Sequence, residues 1–142
     1  DTHRLLSKMF AQRQVKKVYE AVVCGCLEGS GVINYPLSAD WPNRPRQKVD
    51  MVAGKEAITR WQSISTNHVN ITSQVRLYPE TGRSHQLRMH LYAMGYPILG
   101  DKLYYTKYSD KSAARLFLHS YHVSFIHPVF NNLIEVEKHS NF

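Results

Sequence analysis

Apolar residues fall at helical spacing in some stretches of this chain and in β-branched runs in others, and the switch between them outlines the fold. Leu5, Leu6, Met9 and Phe10 keep helical spacing almost from the first residue, which predicts an amphipathic helix ending near Gln14. Residues 15–27, "VKKVYEAVVCGCL", are rich in β-branched and apolar side chains and predict a long strand closed by the turn "EGSG". "VINYPL" predicts a second, shorter strand, with Pro36 marking its end or a sheet edge. "SADWPNRPRQK" holds two prolines and three basic residues and is expected to be an exposed loop, while "KEAITRWQSIS" and "VNITSQVRLY" predict a strand pair joined through "TNH".

After "PETGR", Ser84 is the expected N-cap of a helix through Met94, stopped by Gly95, with Leu87, His90, Leu91 and Met94 facing inward. "PILGDKLYYTKYSDKSAAR" is expected to be a long polar connection, and "LFLHSYHVSFIHP" and "LIEVEK" to be paired strands around "HPVFNN". Strands in hairpin-like succession with few helices predict an α+β fold, a mixed and mainly antiparallel sheet flanked by helices, as a single domain over residues 1–142. The helical spacing from the first residues leads us to expect that the chain starts inside an element, as a fragment would.

Composition changes this picture in one respect. Apolar residues make up 43% and charged residues 20% of the 142, which is ordinary for a globular protein, but the formal net charge is +7. A pI near 9.5 points to a polyanionic partner, with nucleic acid ahead of a membrane surface because no basic amphipathic helix stands out. Plain solubility accounts for the same charge. No apolar run approaches a membrane span, so no membrane partner is expected. Cys24 and Cys26 would project from one strand face, an awkward geometry for a disulfide, and with no secretory signal they suit a reducing cytoplasm.

Candidate chemistry concentrates in "TGRSHQLRMH", residues 81–90. His85 and Arg88 lie three apart on one helix face, and Arg83 stands just before the helix, where free backbone N–H groups favour anions. A guanidinium there can hold a phosphate or carboxylate; a solvated helix face with a capping turn explains the same residues. Tyr19, behind Lys16 and Lys17, reads first as a core tyrosine with a satisfied hydroxyl; the functional reading is a stacking surface for a planar ligand. Trp41 beside Arg44, Arg46 and Lys48 suits base stacking with phosphate contact. The His85–His90 and His119–His122 spacings form no zinc pattern with the cysteines, and no metal is expected.

In order, "KKVYEAVVCG", "DWPNRPRQKV", "GKEAITRW", "TGRSHQLRMHLYAMGYPILGDKLY" and "RLFLHS" resemble the RluA family of pseudouridine synthases over nearly the whole chain. The resemblance implies the pseudouridine synthase catalytic fold and the isomerisation of uridine in RNA to its C-glycoside, without cofactor or metal, on a base flipped from its stack. It assigns Arg88 to pair with a nucleophilic aspartate, Tyr19 to stack on the base and accept its carbon-5 proton, and Leu118 to the apolar floor. Lys16, Lys17, Trp41, Arg44, Arg46, Lys48, Arg83 and His85 become RNA contacts, and the implied partners are ribosomal RNA and the transfer RNA anticodon stem-loop.

The family carries its nucleophile in an "HRLD"-type motif. Here the "HR" of "DTHRLL" is followed by two leucines, Asp1 lies too close to Tyr19, and Asp40 and Asp101 match other family segments. The nucleophile is therefore expected outside these 142 residues, with the segment alone inactive and inclined to self-associate through exposed sheet edges. A non-catalytic basic RNA-binding module is the competing reading.

Overall fold

A computed structural model describes residues 16–106, 115–126 and 133–137. The long apolar run forms β1 (Lys16–Cys24), followed by β2 (Ser30–Ile33), β3 (Leu37–Ala39), β4 (Gln47–Val49), β5 (Thr59–Asn67) and β6 (Thr72–Pro79). Helix α1 (Gln86–Ala93) comes next, and β7 (Leu118–Ile126) and β8 (Leu133–Glu137) complete the order. Six strands form one sheet in the order β2-β5-β6-β1-β7-β8, and β3 and β4 pair separately. Every one of these pairings is antiparallel. The opening helix and the turn at "HPVFNN" lie outside the described residues.

Alternation along the strands decides which face is covered. Ala21 and Val23 of β1 stand beside Val75 and Ser73 of β6, and with Leu77 they meet Leu87 and Leu91 of α1 in the main core. Met89, on another side of the same helix, packs into a second cluster with Leu37, Ala57 and Tyr104. The helix is therefore wedged between the sheet and the β3–β4 arm, and its buried set is Gln86, Leu87, Met89, His90 and Leu91. Met94 is only partly buried, so the expected inward stripe is broader and shifted toward the helix start.

The β1–β7 pairing slips by one residue between Val18 and Tyr19. Such a bulge bends the strand locally and re-aims the side chains beside it. Tyr19 sits at that irregularity, at the edge of the core and not in its middle.

Three expectations are corrected. The predicted loop at 38–48 is a short hairpin, with a 3-10 turn over Trp41–Asn43 between β3 and β4; strands of three residues are too short to show a period. The segment after Pro97 is no polar connection at its start, because Ile98, Asp101 and Tyr104 are buried and Ile98 bridges to Val23. Cys24 ends β1 and Gly25, at φ +113°, turns the chain away before Cys26, so the cysteines do not share a strand; neither is in a disulfide. Among the described residues no helix is long and apolar enough to cross a membrane.

Leu91 is fully buried where sheet and helix meet. Leu91→Ala should lower unfolding free energy by about 2–5 kcal/mol with an unchanged urea slope; an unaltered urea midpoint would show that the helix does not pack as described.

Candidate functional site

Between the end of β6 and α1 the chain must turn sharply over the sheet, and Gln86 organises that turn. Its Oε1 accepts from the Thr81 hydroxyl at 2.6 Å and the Arg83 N–H at 3.1 Å; its Nε2 donates to the Ile58 carbonyl at 3.0 Å and Thr59 Oγ1 at 2.9 Å. Thr59 Oγ1 in turn lies 2.8 Å from His90 Nδ1, and His90 Nε2 lies 2.8 Å from the Tyr35 carbonyl. A carbonyl only accepts, so Nε2 carries the proton. Burial pushes His90 down from its ordinary pKa against the opposing Tyr35 bond, which keeps the ring neutral. Ser84 makes no cap. The cap position belongs to His85, in the left-handed region at φ +53°, and it makes no side-chain capping hydrogen bond.

This turn roofs a cavity of about 250 Å³. Lys17 and Tyr19 enter it from β1, Leu118 from β7, residues 79–83 from the turn, and His85, Leu87 and Arg88 from the head of α1. Tyr19, Arg88 and Leu118, far apart in the chain, thus share one wall system. Lys17, Arg83 and His85 join them.

Arg88 does not wait there unpaired. Its Nε donates to Asp101 Oδ2 at 2.9 Å and its Nη2 to Oδ1 at 2.7 Å, a side-on forked pair. The Asp101 side chain is 0% exposed, and Oδ1 also accepts the N–H groups of Leu103 and Tyr104 at 2.9 and 3.0 Å. Burial alone would raise this carboxyl; the Arg88 hydrogen bond, both amides and the Arg88 charge outweigh it and hold the pKa below the usual carboxylate range. Arg88 is raised reciprocally, chiefly by the Asp101 hydrogen bond. A guanidinium held through Nε and Nη2 keeps its Nη1/Nη2 edge for a second anion.

Tyr104 lies beneath this pair. The Arg88 guanidinium stands 5.4 Å from its ring centroid, and Arg46 stands 5.1 Å away. The hydroxyl accepts the Gln47 N–H at 2.7 Å and lies 2.8 Å from His85 Nδ1. His85 is pushed down in pKa by burial first and then by the Arg88 charge, partly offset by Asp101, and is neutral at pH 7. Burial lowers Lys17 and raises Tyr19, so the Tyr19 phenol stays protonated at neutral pH.

The remaining candidates fall elsewhere. Lys16, Trp41, Arg44, Arg46 and Lys48 do not line the cavity. Trp41 is 66% exposed with the Arg44 guanidinium 5.3 Å from its ring, and Lys48 is exposed on β4. Arg46 is tucked against Tyr92 as well as Tyr104, which makes it a packing cation at the base of the arm. Arg83 is anchored through Nε to the Glu56 carbonyl at 2.7 Å. Sequence reasoning passed over Asp101, Tyr104 and Gln86. A signal for the first two existed: an acid and an aromatic set among Ile98, Leu99 and Leu103 are poor choices for a solvated connection.

Residues 1–93 match the family model described as RNA pseudouridylate synthase. The dual-specificity RNA pseudouridine synthase RluA of Haemophilus influenzae is 42% identical over 98% of this chain and 64% of its own length. The protein of the same name from Pasteurella multocida is 46% identical over 89% of this chain and 58% of its own. Human RNA Pseudouridylate Synthase Domain Containing 1 superposes with a TM-score of 0.83 at 26% identity, covering 96% of this chain and 59% of that one. Human RNA Pseudouridylate Synthase Domain Containing 4, at 23% identity and a TM-score of 0.72 over 96% of this chain and 62% of that one, shares the fold. This chain spans less than two thirds of the length of each.

Because the Asp101 pKa is depressed in the folded state, its contribution to stability is present above the ordinary carboxylate range and is lost as pH falls through the folded value. Asp101→Asn should cost about 3–5 kcal/mol at pH 7, with the gap to the parent narrowing below about pH 4. Urea unfolding across that window checks both; a gap independent of pH would deny the ion pair its role.

Proposed function

The chain belongs to the RNA pseudouridylate synthase family, and from that premise we propose that its cavity isomerises uridine to pseudouridine within RNA. The observation that carries the proposal is the meeting of an aromatic ring, Tyr19, an apolar side chain, Leu118, and a fixed guanidinium, Arg88, around a space sized for one nucleotide base. A duplex cannot enter, so the uridine must leave its stack.

The reaction breaks the bond from the ribose C1′ to N1 and makes one from C1′ to C5. C5 gives up its proton and N1 gains one, so no oxidant or co-reactant is consumed. Tyr19 supplies the shelf on which the base stacks and turns, with Leu118 as the opposing floor. The phenol, kept protonated by burial, is no standing base, so passing on the C5 proton depends on another acceptor taking the phenol proton. Arg88 offers its remaining edge to the carboxylate nucleophile and keeps that group ionised. Asp101 is not the nucleophile, being fully enclosed and holding four donors. Lys17 and Arg83 stand at the cavity for the phosphates flanking the flipped base, and the Trp41–Arg44 stack offers a second platform for unpaired RNA. Ribosomal RNA and the transfer RNA anticodon stem-loop are the proposed substrates, in keeping with the dual specificity in the names of the relatives.

Pseudouridine formation in a uridine-bearing RNA hairpin tests this, using the intact protein that carries these residues. Arg88→Ala should lower turnover by about 100-fold or more, while RNA affinity changes by less than about tenfold. RNA binding without turnover in the parent protein would favour a binding module instead, and turnover that survives Arg88→Ala would remove Arg88 from the reaction.

A further inference from the structure

We infer that the Tyr104 hydroxyl holds His85 in its Nε2–H form, making this imidazole a neutral hydrogen-bond donor to a carbonyl oxygen of the flipped pyrimidine. The tautomer follows from counting protons. The Tyr104 oxygen already accepts the Gln47 N–H at 2.7 Å, and it lies 2.8 Å from His85 Nδ1. If Nδ1 carried the proton, the oxygen would take two donors and its own hydrogen, inside a fully buried residue, would lack an acceptor. If the hydroxyl donates to Nδ1, every group is matched. His85 must then carry its proton on Nε2, the ring nitrogen that Tyr104 does not engage, in a side chain that lines the cavity.

The surroundings favour a neutral ring over an imidazolium. Arg88 and Arg46 both lie against Tyr104, and Asp101 is already engaged by Arg88. The desolvated ring is pushed the same way. The backbone holds the direction: His85 occupies the left-handed region at φ +53°, and its carbonyl accepts the Met89 N–H at 2.9 Å, so the side chain is fixed at both ends. A neutral donor suits an uncharged carbonyl better than a phosphate, which Lys17 and Arg83 serve. The ligand in this inference rests on the proposed isomerase reading; the tautomer does not.

Long-range 1H–15N correlation of the imidazoles in the intact, unliganded protein at pH 7 reads the tautomer directly. Expected is a pyridine-like Nδ1 and a pyrrole-like Nε2 for His85; an Nδ1–H ring or an imidazolium overturns the inference whatever the protein catalyses. For the ligand, His85→Leu should lower kcat about tenfold with RNA Kd little changed, and His85→Gln, which restores an N–H donor, should recover most of it. Equal losses in the two variants, or a loss confined to Kd as a phosphate contact would give, overturn the carbonyl assignment. Absence of isomerase activity in the parent protein defeats the functional reading, leaving the tautomer measurement to stand on its own.

Discussion

An aspartate whose side chain has no exposed surface stays ionised only where the fold supplies enough donors, and Asp101 has four. Two come from Arg88 and two from its own backbone turn at Leu103 and Tyr104. Enclosing a lone carboxylate is costly, so removing any of these partners loosens the others. The pair therefore does more than join two charges. It pins the first turn of α1 to the segment after Pro97, which a β-bridge from Ile98 to Val23 pins to β1 inside the sheet. The guanidinium is thereby aimed by the core itself.

Tyr104 spreads this constraint to the β3–β4 arm. Its ring carries guanidinium groups from Arg46 and Arg88, and its hydroxyl joins the β4 backbone to His85. The β3–β4 arm is consequently joined to the cavity-lining His85 through one buried side chain. Charge is partitioned in the same stroke: Arg88 is compensated by Asp101 and His85 is neutral, while Lys17 and Arg83 also line the cavity.

Much of this was legible in the residues. Runs of β-branched and apolar residues placed β1, β5 and β6, and Pro36 separated β2, at the sheet edge, from β3. Tyr19, Arg88 and Leu118, singled out by resemblance, do converge. What stayed hidden depends on contacts between distant segments. Asp101 is 13 residues from Arg88, and no local pattern shows that the intervening chain folds back to bury it. Ser84 looked like a cap because hydroxyls usually are; the cap position fell instead to His85, while the Gln86 amide ties β5 to the turn before the helix. Nor does any local pattern show that Arg46 is held against two tyrosine rings.

A double-mutant cycle on turnover of an RNA hairpin tests most directly whether Asp101 works through Arg88. Asp101→Asn alone should slow the reaction markedly, and adding it to Arg88→Ala should slow it no further, giving a coupling of at least about 1.4 kcal/mol. Independent losses that multiply in the double variant would contradict the account.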